Sequence, residues 1–224
     1  MESDTDQTAG GPKSSASRGS AMISSALKLS AVCVITLLMA SCGHEVKHPH
    51  YYTLEIPPAP APSLTNSHFP CTVAVSRFET PSYLRQGRIV YRESPEEVGF
   101  YEYHRWAADP AETITTAMID ALRSSRLFSF VKRYDGHNQQ DYLIVGRLER
   151  IEEIDYGGPV RVEAKISAEL VNLGTGTTEW TGDASQMSDV ENRNVDSVVR
   201  AMNRTVQNSI SQLVASLDQR FSTK

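Results

Sequence analysis

One stretch of this chain alternates apolar and polar side chains without a break over eleven residues. It reads VRVEAKISAEL at 160–170, with Val, Ala, Ile and Leu at the even positions and charged or hydroxyl-bearing residues between them. Successive side chains of a β-strand point to opposite faces, so this period of two predicts one apolar face and one solvated face. The apolar face needs a packing partner, which constrains the chain to a fold built around a half-buried sheet.

Two further strand patterns flank this one, separated from it by turn-forming residues. YLIVGRLERIEEI precedes it across a Tyr-Gly-Gly-Pro turn, and TEWTGDASQM follows it across NLGTGT. We expect these three strands to form an antiparallel meander. Additional strands are predicted at 71–78, 88–94, 99–104 and 127–134. The second and third of these are expected to form a hairpin.

Two helices are predicted on either side of the meander. Asp109, Pro110 and Glu112 have the pattern of an N-cap, an N1 proline and an N3 carboxylate, and the helix they begin should end near Ser124 or Ser125. Apolar residues then recur every three or four positions over 195–221. The apolar face of the sheet is the expected partner of this long stripe, with helix packing in an oligomer as the alternative. The sequence therefore predicts a single α+β domain, a mostly antiparallel mixed sheet with two main helices packed on it, the longer one C-terminal.

An apolar run of about eleven residues lies near the N-terminus and ends at Cys42. It follows Lys28 and is shorter than the roughly 20 residues that a helix needs to cross a bilayer. The small residues Ala40 and Ser41 complete a secretory signal, and the stretch resembles the lipobox of bacterial lipoproteins, with Met39 where Leu is usual. Cys42 is then the acylated first residue of the mature protein. An uncleaved signal anchor or a plain secreted protein is the alternative.

These signals divide the chain into four expected segments. Met22 begins a complete signal by itself, so residues 1–21 are expected to be a dispensable extension and 22–41 the signal peptide. Residues 42–50 form a lipidated tether and 51–224 the folded domain, which contains a proline-rich loop at 57–70.

Charge and cysteine content exclude some functions. The formal net charge is −5, which argues against nucleic acid as a partner. Cys71 is the one thiol expected to remain free, and a buried apolar role fits it better than a nucleophile, because no activating neighbour is evident. His44, His48 and His50 lie in the tether, where solvation is a better interpretation than a metal site.

Motifs typical of enzymes are missing from the sequence. It has no nucleophile elbow, Walker loop or metalloprotease helix motif. Glu152 and Glu153 are adjacent in a predicted strand, where neighbours point to opposite faces and cannot share one substrate. We interpret this pair, and the pair Glu96 and Glu97, as solvated charge rather than as acid and base. A triad assembled from distant residues would not be visible in the sequence.

The predicted hairpin carries an unusual density of aromatic and arginine side chains. Such residues are enriched in interface hot spots, because they bury a large area at low entropic cost and keep polar tips. We therefore predict an interaction site here, while core packing is the alternative, above all for the tryptophan. The candidates are Tyr91, Arg92, Tyr101, His104, Arg105 and Trp106, and Tyr103 lies in the same cluster.

Several segments together resemble the ABC-type transport auxiliary lipoproteins of the PqiC/YmbA type. The resemblance runs from Cys42 to the last helix and is most specific where an IVYR strand is followed by HRWA entering a helix. The segments that carry it are YYTLEIPP, VAVSRFETPSYL, RIVYRES, YEYHRWAADPAETITTAMIDAL and DYLIVGRLER.

The resemblance implies a function in lipid movement between membranes. It implies an α+β domain that is anchored in the outer membrane, faces the periplasm and works with an MCE-domain protein, its permease and its ATPase. Homo-oligomers are also possible partners. It implies no catalytic residues and no cofactor beyond the N-acyl and S-diacylglycerol groups on Cys42. Gly43 after the cysteine, rather than Asp, agrees with the outer membrane. A lipoprotein regulator of a cell-wall synthase and a lipid-anchored hydrolase are the alternatives.

Overall fold

Four strands, a helix, four more strands and a final helix follow one another along the part of the chain that the structure describes, in the order that the sequence patterns predict but with one additional strand at the start. The computed structural model describes residues 47–57, 69–137 and 139–222. Its elements are β1 (His50–Tyr52), β2 (Phe69–Val75), a 3-10 turn (Leu84–Gln86), β3 (Arg88–Arg92), β4 (Gly99–Trp106), α1 (Pro110–Ser125), β5 (Phe128–Arg133), β6 (Tyr142–Ile154), β7 (Arg161–Asn172), β8 (Thr178–Asp189) and α2 (Val195–Ser222).

The long strand β6 is the centre of a forked sheet. On one side it forms the antiparallel meander with β7 and β8, as predicted. On its other side, β2 pairs in parallel with its first residues (Val73 with Tyr142), and β3 pairs in parallel with its last ones (Tyr91 with Glu153). Two groups of strands, which we call wings, therefore pair with the same edge of β6. One wing is β2 with β5, and the other is β3 with β4 and β1.

The predicted fold class is confirmed. The longest ladders, β6 with β7 and β7 with β8, are antiparallel, as is the β3–β4 hairpin. The other pairings of the described strands are parallel, namely β1 with β4, β2 with β5, β2 with β6 and β3 with β6. The sheet is thus mixed, and it belongs to one domain.

Both helices begin and pack as their sequences predict. The Asp109 carboxylate accepts a hydrogen bond of 2.8 Å from the Ala111 amide, Pro110 is the first helical residue, and α1 ends at Ser125. The apolar stripe of α2, which includes Met202, Val206 and Ile210, is buried against β7 and β8. The packing partner of α2 is therefore the sheet of its own chain. We call the helix-covered side of the sheet the inner face and the other side the outer face.

Two boundaries differ from the sequence interpretation. His50, the last residue assigned to the tether, is the first residue of the edge strand β1, so strand pairing begins one residue before the predicted start of the domain. Phe69 and Pro70, assigned to the proline-rich loop, belong to β2, because the Phe69 amide pairs with the Leu127 carbonyl at 2.9 Å. The extension, the signal peptide, Cys42 and residues 58–68 lie outside the described residues. Within the described ranges, no helix has the length and apolar character that crossing a membrane requires.

Candidate functional site

The predicted hairpin cluster is divided between the two faces of the sheet. Register partners share a face, and β1 pairs with β4 through His50 with His104, Tyr51 with Arg105 and Tyr52 with Trp106. The aromatic candidates Tyr91, Tyr101, His104 and Trp106 lie on the inner face, and Arg92 and Arg105 lie on the outer face.

The inner face holds a connected aromatic cluster at the end of the sheet. Tyr101 contacts Tyr91 edge-on, with ring centroids 5.2 Å apart, and His104 edge-on at 5.5 Å. His50 stacks on His104 at 5.3 Å, and Tyr52 Oη lies 3.0 Å from His104 Nδ1. Burial and then His50 lower the pKa of His104, while Asp196 opposes the shift, so the imidazole is neutral near pH 7.

A shift in strand register brings Tyr101 and His104 together. In a regular strand, residues three apart point to opposite faces. Here Val90 pairs with Phe100 but Arg88 pairs with Arg105, so β4 carries extra residues between the two pairs. The sequence holds no signal for this irregularity, because it is defined by the partner strand.

Tyr101 also binds a buried carboxylate. Its hydroxyl donates a hydrogen bond of 2.7 Å to Glu153 Oε2, and the Glu153 residue is only 6% exposed. Burial raises the pKa of the Glu153 carboxyl; the Tyr101 hydrogen bond lowers it, and Asp155 raises it further. Burial, followed by the bond to Glu153, also raises the pKa of the Tyr101 phenol.

On the outer face, Arg92 forms a buried ion pair. Arg92 Nε lies 2.7 Å from Glu152 Oε1, and the Glu152 side chain is fully buried while that of Arg92 is 12% exposed. Arg92 Nη1 also donates to the Pro95 carbonyl at 2.9 Å. The network stabilises the packing of the hairpin on β6. The Arg92 side chain is therefore already paired within the protein.

The expectation that Glu152 and Glu153 are solvated is therefore wrong, although they do point to opposite faces. Each finds a partner on the β3–β4 hairpin, about 50 to 60 residues earlier in the chain. A buried carboxylate is stable when such hydrogen-bonding partners replace water. The partners come from a parallel pairing that local patterns do not indicate.

Two candidates at the end of β4 have different environments. Trp106 is 6% exposed and lies in the core, so the alternative in which it fills the core is the one that the structure shows. Arg105, its neighbour, is half-buried on the outer face. Among the described residues, the Arg105 side chain forms no ion pair or hydrogen bond.

Two other groups were considered in the sequence. Cys71 is half-buried, and burial, with Asp141 adding to it, raises the pKa of its thiol to about 11. The thiol is therefore protonated at neutral pH, which does not suit a nucleophile. In the part of the chain that the structure describes, no three His, Cys, Asp or Glu side chains are grouped closely enough to hold a metal ion.

Comparison with known proteins places this site in a family. The model of the ABC-type transport auxiliary lipoprotein component matches residues 52–214, from the end of β1 into α2. The chain belongs to this family. The match includes the whole hairpin cluster and the fork in the sheet. A comparison with curated proteins finds no match.

Solved structures support the fold of this auxiliary lipoprotein. A Xanthomonas campestris protein of the DUF330 family is similar with a TM-score of 0.69 and 15% identity, over 78% of this chain and 98% of that one. A protein described as uncharacterized has a TM-score of 0.60 and 13% identity, over 76% and 99%. A hypothetical protein of Chlamydia trachomatis has a TM-score of 0.50 and 8% identity, over 70% and 100%.

Family membership gives the coarse function. The protein is an auxiliary lipoprotein component of ABC-type transport. Its lipid anchor remains a prediction, because Cys42 precedes both the matched residues and the described ones.

Proposed function

We propose that this lipoprotein is the periplasm-facing auxiliary subunit of an MCE-type intermembrane lipid transport system. It is anchored through Cys42, with Gly43 directing it to the outer membrane, and it acts by docking rather than by catalysis. The observation that carries the proposal is the family match over nearly all of the folded domain. An MCE-domain protein, with its permease and ATPase, is the partner.

The sequence leaves two regions open for contact with another chain, the stripe of α2 and the β3–β4 hairpin, and the structure favours the hairpin. The apolar stripe of α2 is buried against its own sheet, so this stripe is not available to a partner. The β3–β4 hairpin remains, with half-exposed Tyr91, Tyr101 and Tyr103 and exposed Glu102. We place the contact with the MCE partner, or with a second copy of the chain, on this hairpin.

Photocrosslinking in cells tests the proposal. A photoreactive residue replaces Glu102 on the hairpin, and a matched probe replaces Ala215, which is exposed on α2. We expect an MCE-domain protein to be captured from position 102 and not from 215. Mass spectrometry of the N-terminal peptide of the same sample reads the acylation of Cys42.

Each alternative has its own outcome in this experiment. Capture of a cell-wall synthase from position 102 would replace the transport function, and equal capture from both positions would refute the hairpin as the docking region. Turnover of an esterase or phosphatase substrate by the purified protein would favour the hydrolase. An unmodified Cys42 would refute the anchor.

A further inference from the structure

Three side chains form a straight row across three strands of the outer face. Tyr51 of β1 is the register partner of Arg105 of β4, and Arg105 is the register partner of Arg88 of β3. Neighbouring strands of a sheet lie about 4.7–4.9 Å apart, and register partners have their side chains on the same face. The row therefore places two guanidinium groups side by side, with a tyrosine at the edge of the sheet.

Neither arginine of this row has a partner in the protein. Among the described residues, Arg88 and Arg105 form no ion pair and no side-chain hydrogen bond. Arg92 lies on the same face of β3, and it is paired with Glu152. Like charges directly opposite each other in a sheet are destabilising. An anion between Arg88 and Arg105 removes that repulsion, and phosphate suits the planar guanidinium fork.

The tyrosine at the end of the row is unusually exposed. Tyr51 is 64% exposed, the largest value among the exposed large hydrophobic residues of the described chain. Tyrosine is enriched where membrane meets water, because its ring is apolar and its tip is polar. Arginines beside such a ring complete a pattern that fits phospholipid headgroups.

The position of the row along the chain brings it to a bilayer. His50, the first residue of β1, follows Cys42 by eight positions. At 3.3–3.6 Å per residue, a fully extended tether spans at most about 30 Å. The strand β1, with Tyr51 in it, therefore lies within about 30 Å of the predicted lipid anchor.

We propose that the row of Tyr51, Arg105 and Arg88 rests on the anionic headgroups of the bilayer that anchors the protein. The turn between β3 and β4 carries exposed Glu93, Glu96 and Glu97, which anionic lipid repels. This repulsion favours an orientation in which the outer face, and not the turn, meets the bilayer. The inference rests on the anchor of the proposed function but not on the MCE partner.

Quenching by brominated lipid tests the contact on the full acylated chain. Tyr51→Trp introduces a fluorescent reporter at the end of the row. The emission of Trp106 and Trp180 is measured in the parent chain and subtracted. We expect the added emission to be quenched in vesicles of phosphatidylethanolamine and brominated phosphatidylglycerol. Most of that quenching should be lost in the Arg88→Glu/Arg105→Glu variant and in high salt.

A matched variant and a second probe complete the test. Arg200→Glu/Arg204→Glu makes the same charge change at two exposed positions of α2, on the helix-covered side of the sheet, and should keep the quenching. Circular dichroism verifies the fold of both variants, and co-flotation with vesicles verifies the anchor in every sample. A chain that floats without added quenching refutes the contact and leaves the anchor standing.

Other results would also overturn the proposal. Quenching that persists in the Arg88→Glu/Arg105→Glu variant, or that is equal in brominated phosphatidylcholine, would show that the arginines do not recognise anionic lipid. The same change of emission with inorganic phosphate alone would assign the row to a free anion instead of a membrane.

Discussion

Two arginines on the outer face of the hairpin differ sharply in what surrounds them. Arg92 is paired with the fully buried Glu152, whereas Arg105 has no side-chain partner among the described residues. Removing one partner of a buried pair leaves an uncompensated charge, which costs about 3–5 kcal/mol. Substitutions that break no ion pair and leave the core intact usually change stability by less than about 0.5 kcal/mol.

These values predict different outcomes for the same substitution. Arg92→Glu places two carboxylates side by side, so the free energy of unfolding should fall by about 3–5 kcal/mol in urea denaturation. Arg105→Glu is the control and should unfold at the parent midpoint or slightly above it, because it breaks no ion pair and removes the repulsion from Arg88. Equal losses in the two variants would show that the Arg92–Glu152 pair does not stabilise the fold.

Glu153 should make stability depend on pH. Its folded pKa is raised above the unfolded value, so its stabilising contribution is present below the unfolded pKa and is lost as pH rises through the folded pKa. We therefore expect Glu153→Gln, which can still accept the Tyr101 hydrogen bond, to be more stable than the parent at pH 8. The difference should shrink toward pH 4. Urea midpoints of both proteins between pH 4 and pH 8 measure this difference. A difference that does not change with pH would show that the raised pKa of Glu153 is not its cause.

At the scale of elements, local periodicity predicted most of the fold but not its connections. The meander of β6, β7 and β8 and the stripe of α2 repeat over many residues, so their period is unmistakable. The edge strand β1 has only three residues, and its pairing depends on β4. The parallel pairings and the irregularity in β4 bring together distant segments, so the burial of Glu152 and Glu153 could not be predicted.

The start of α1 allows a prediction at this scale. The Asp109 carboxylate accepts from the Ala111 amide and also forms an ion pair with Arg77. Loss of an N-cap typically costs about 1 kcal/mol, so Asp109→Ala should lower the free energy of unfolding by about that amount. Asp120→Ala, in the exposed middle of the same helix, is the matched control and should cost less than about 0.5 kcal/mol. Equal costs would refute the capping role.

At the scale of the whole molecule, the fork at β6 raises the question of whether the two sides unfold together. Trp106 lies on the wing of β3, β4 and β1, and Trp180 lies in β8, where its indole donates to Ser216 Oγ at 3.2 Å. Both are buried and so both report on packing. The shared strand β6 should make unfolding a single cooperative transition.

Two single-tryptophan variants test this cooperativity. Trp180→Phe leaves Trp106 as the reporter, and Trp106→Phe leaves Trp180. In each variant, we expect the fluorescence midpoint in urea to coincide with the midpoint from circular dichroism. If the Trp106 signal changed at lower urea than the circular dichroism of the same variant, the wing would be a separate unit.

The short strand β1 also has a mechanical consequence. The predicted anchor lies on its N-terminal side, so any tension between the membrane and a docked domain loads the three residues of β1 first. Beyond them, the chain is held by buried Leu54 and by the hydrogen bond from Gln207 to the Pro57 carbonyl. Peeling 50–57 from the domain would release up to about 30 Å of chain. Under tension, β1 would thus detach before the rest of the sheet unfolds. The distance between the anchor and the domain would increase while the domain stays folded.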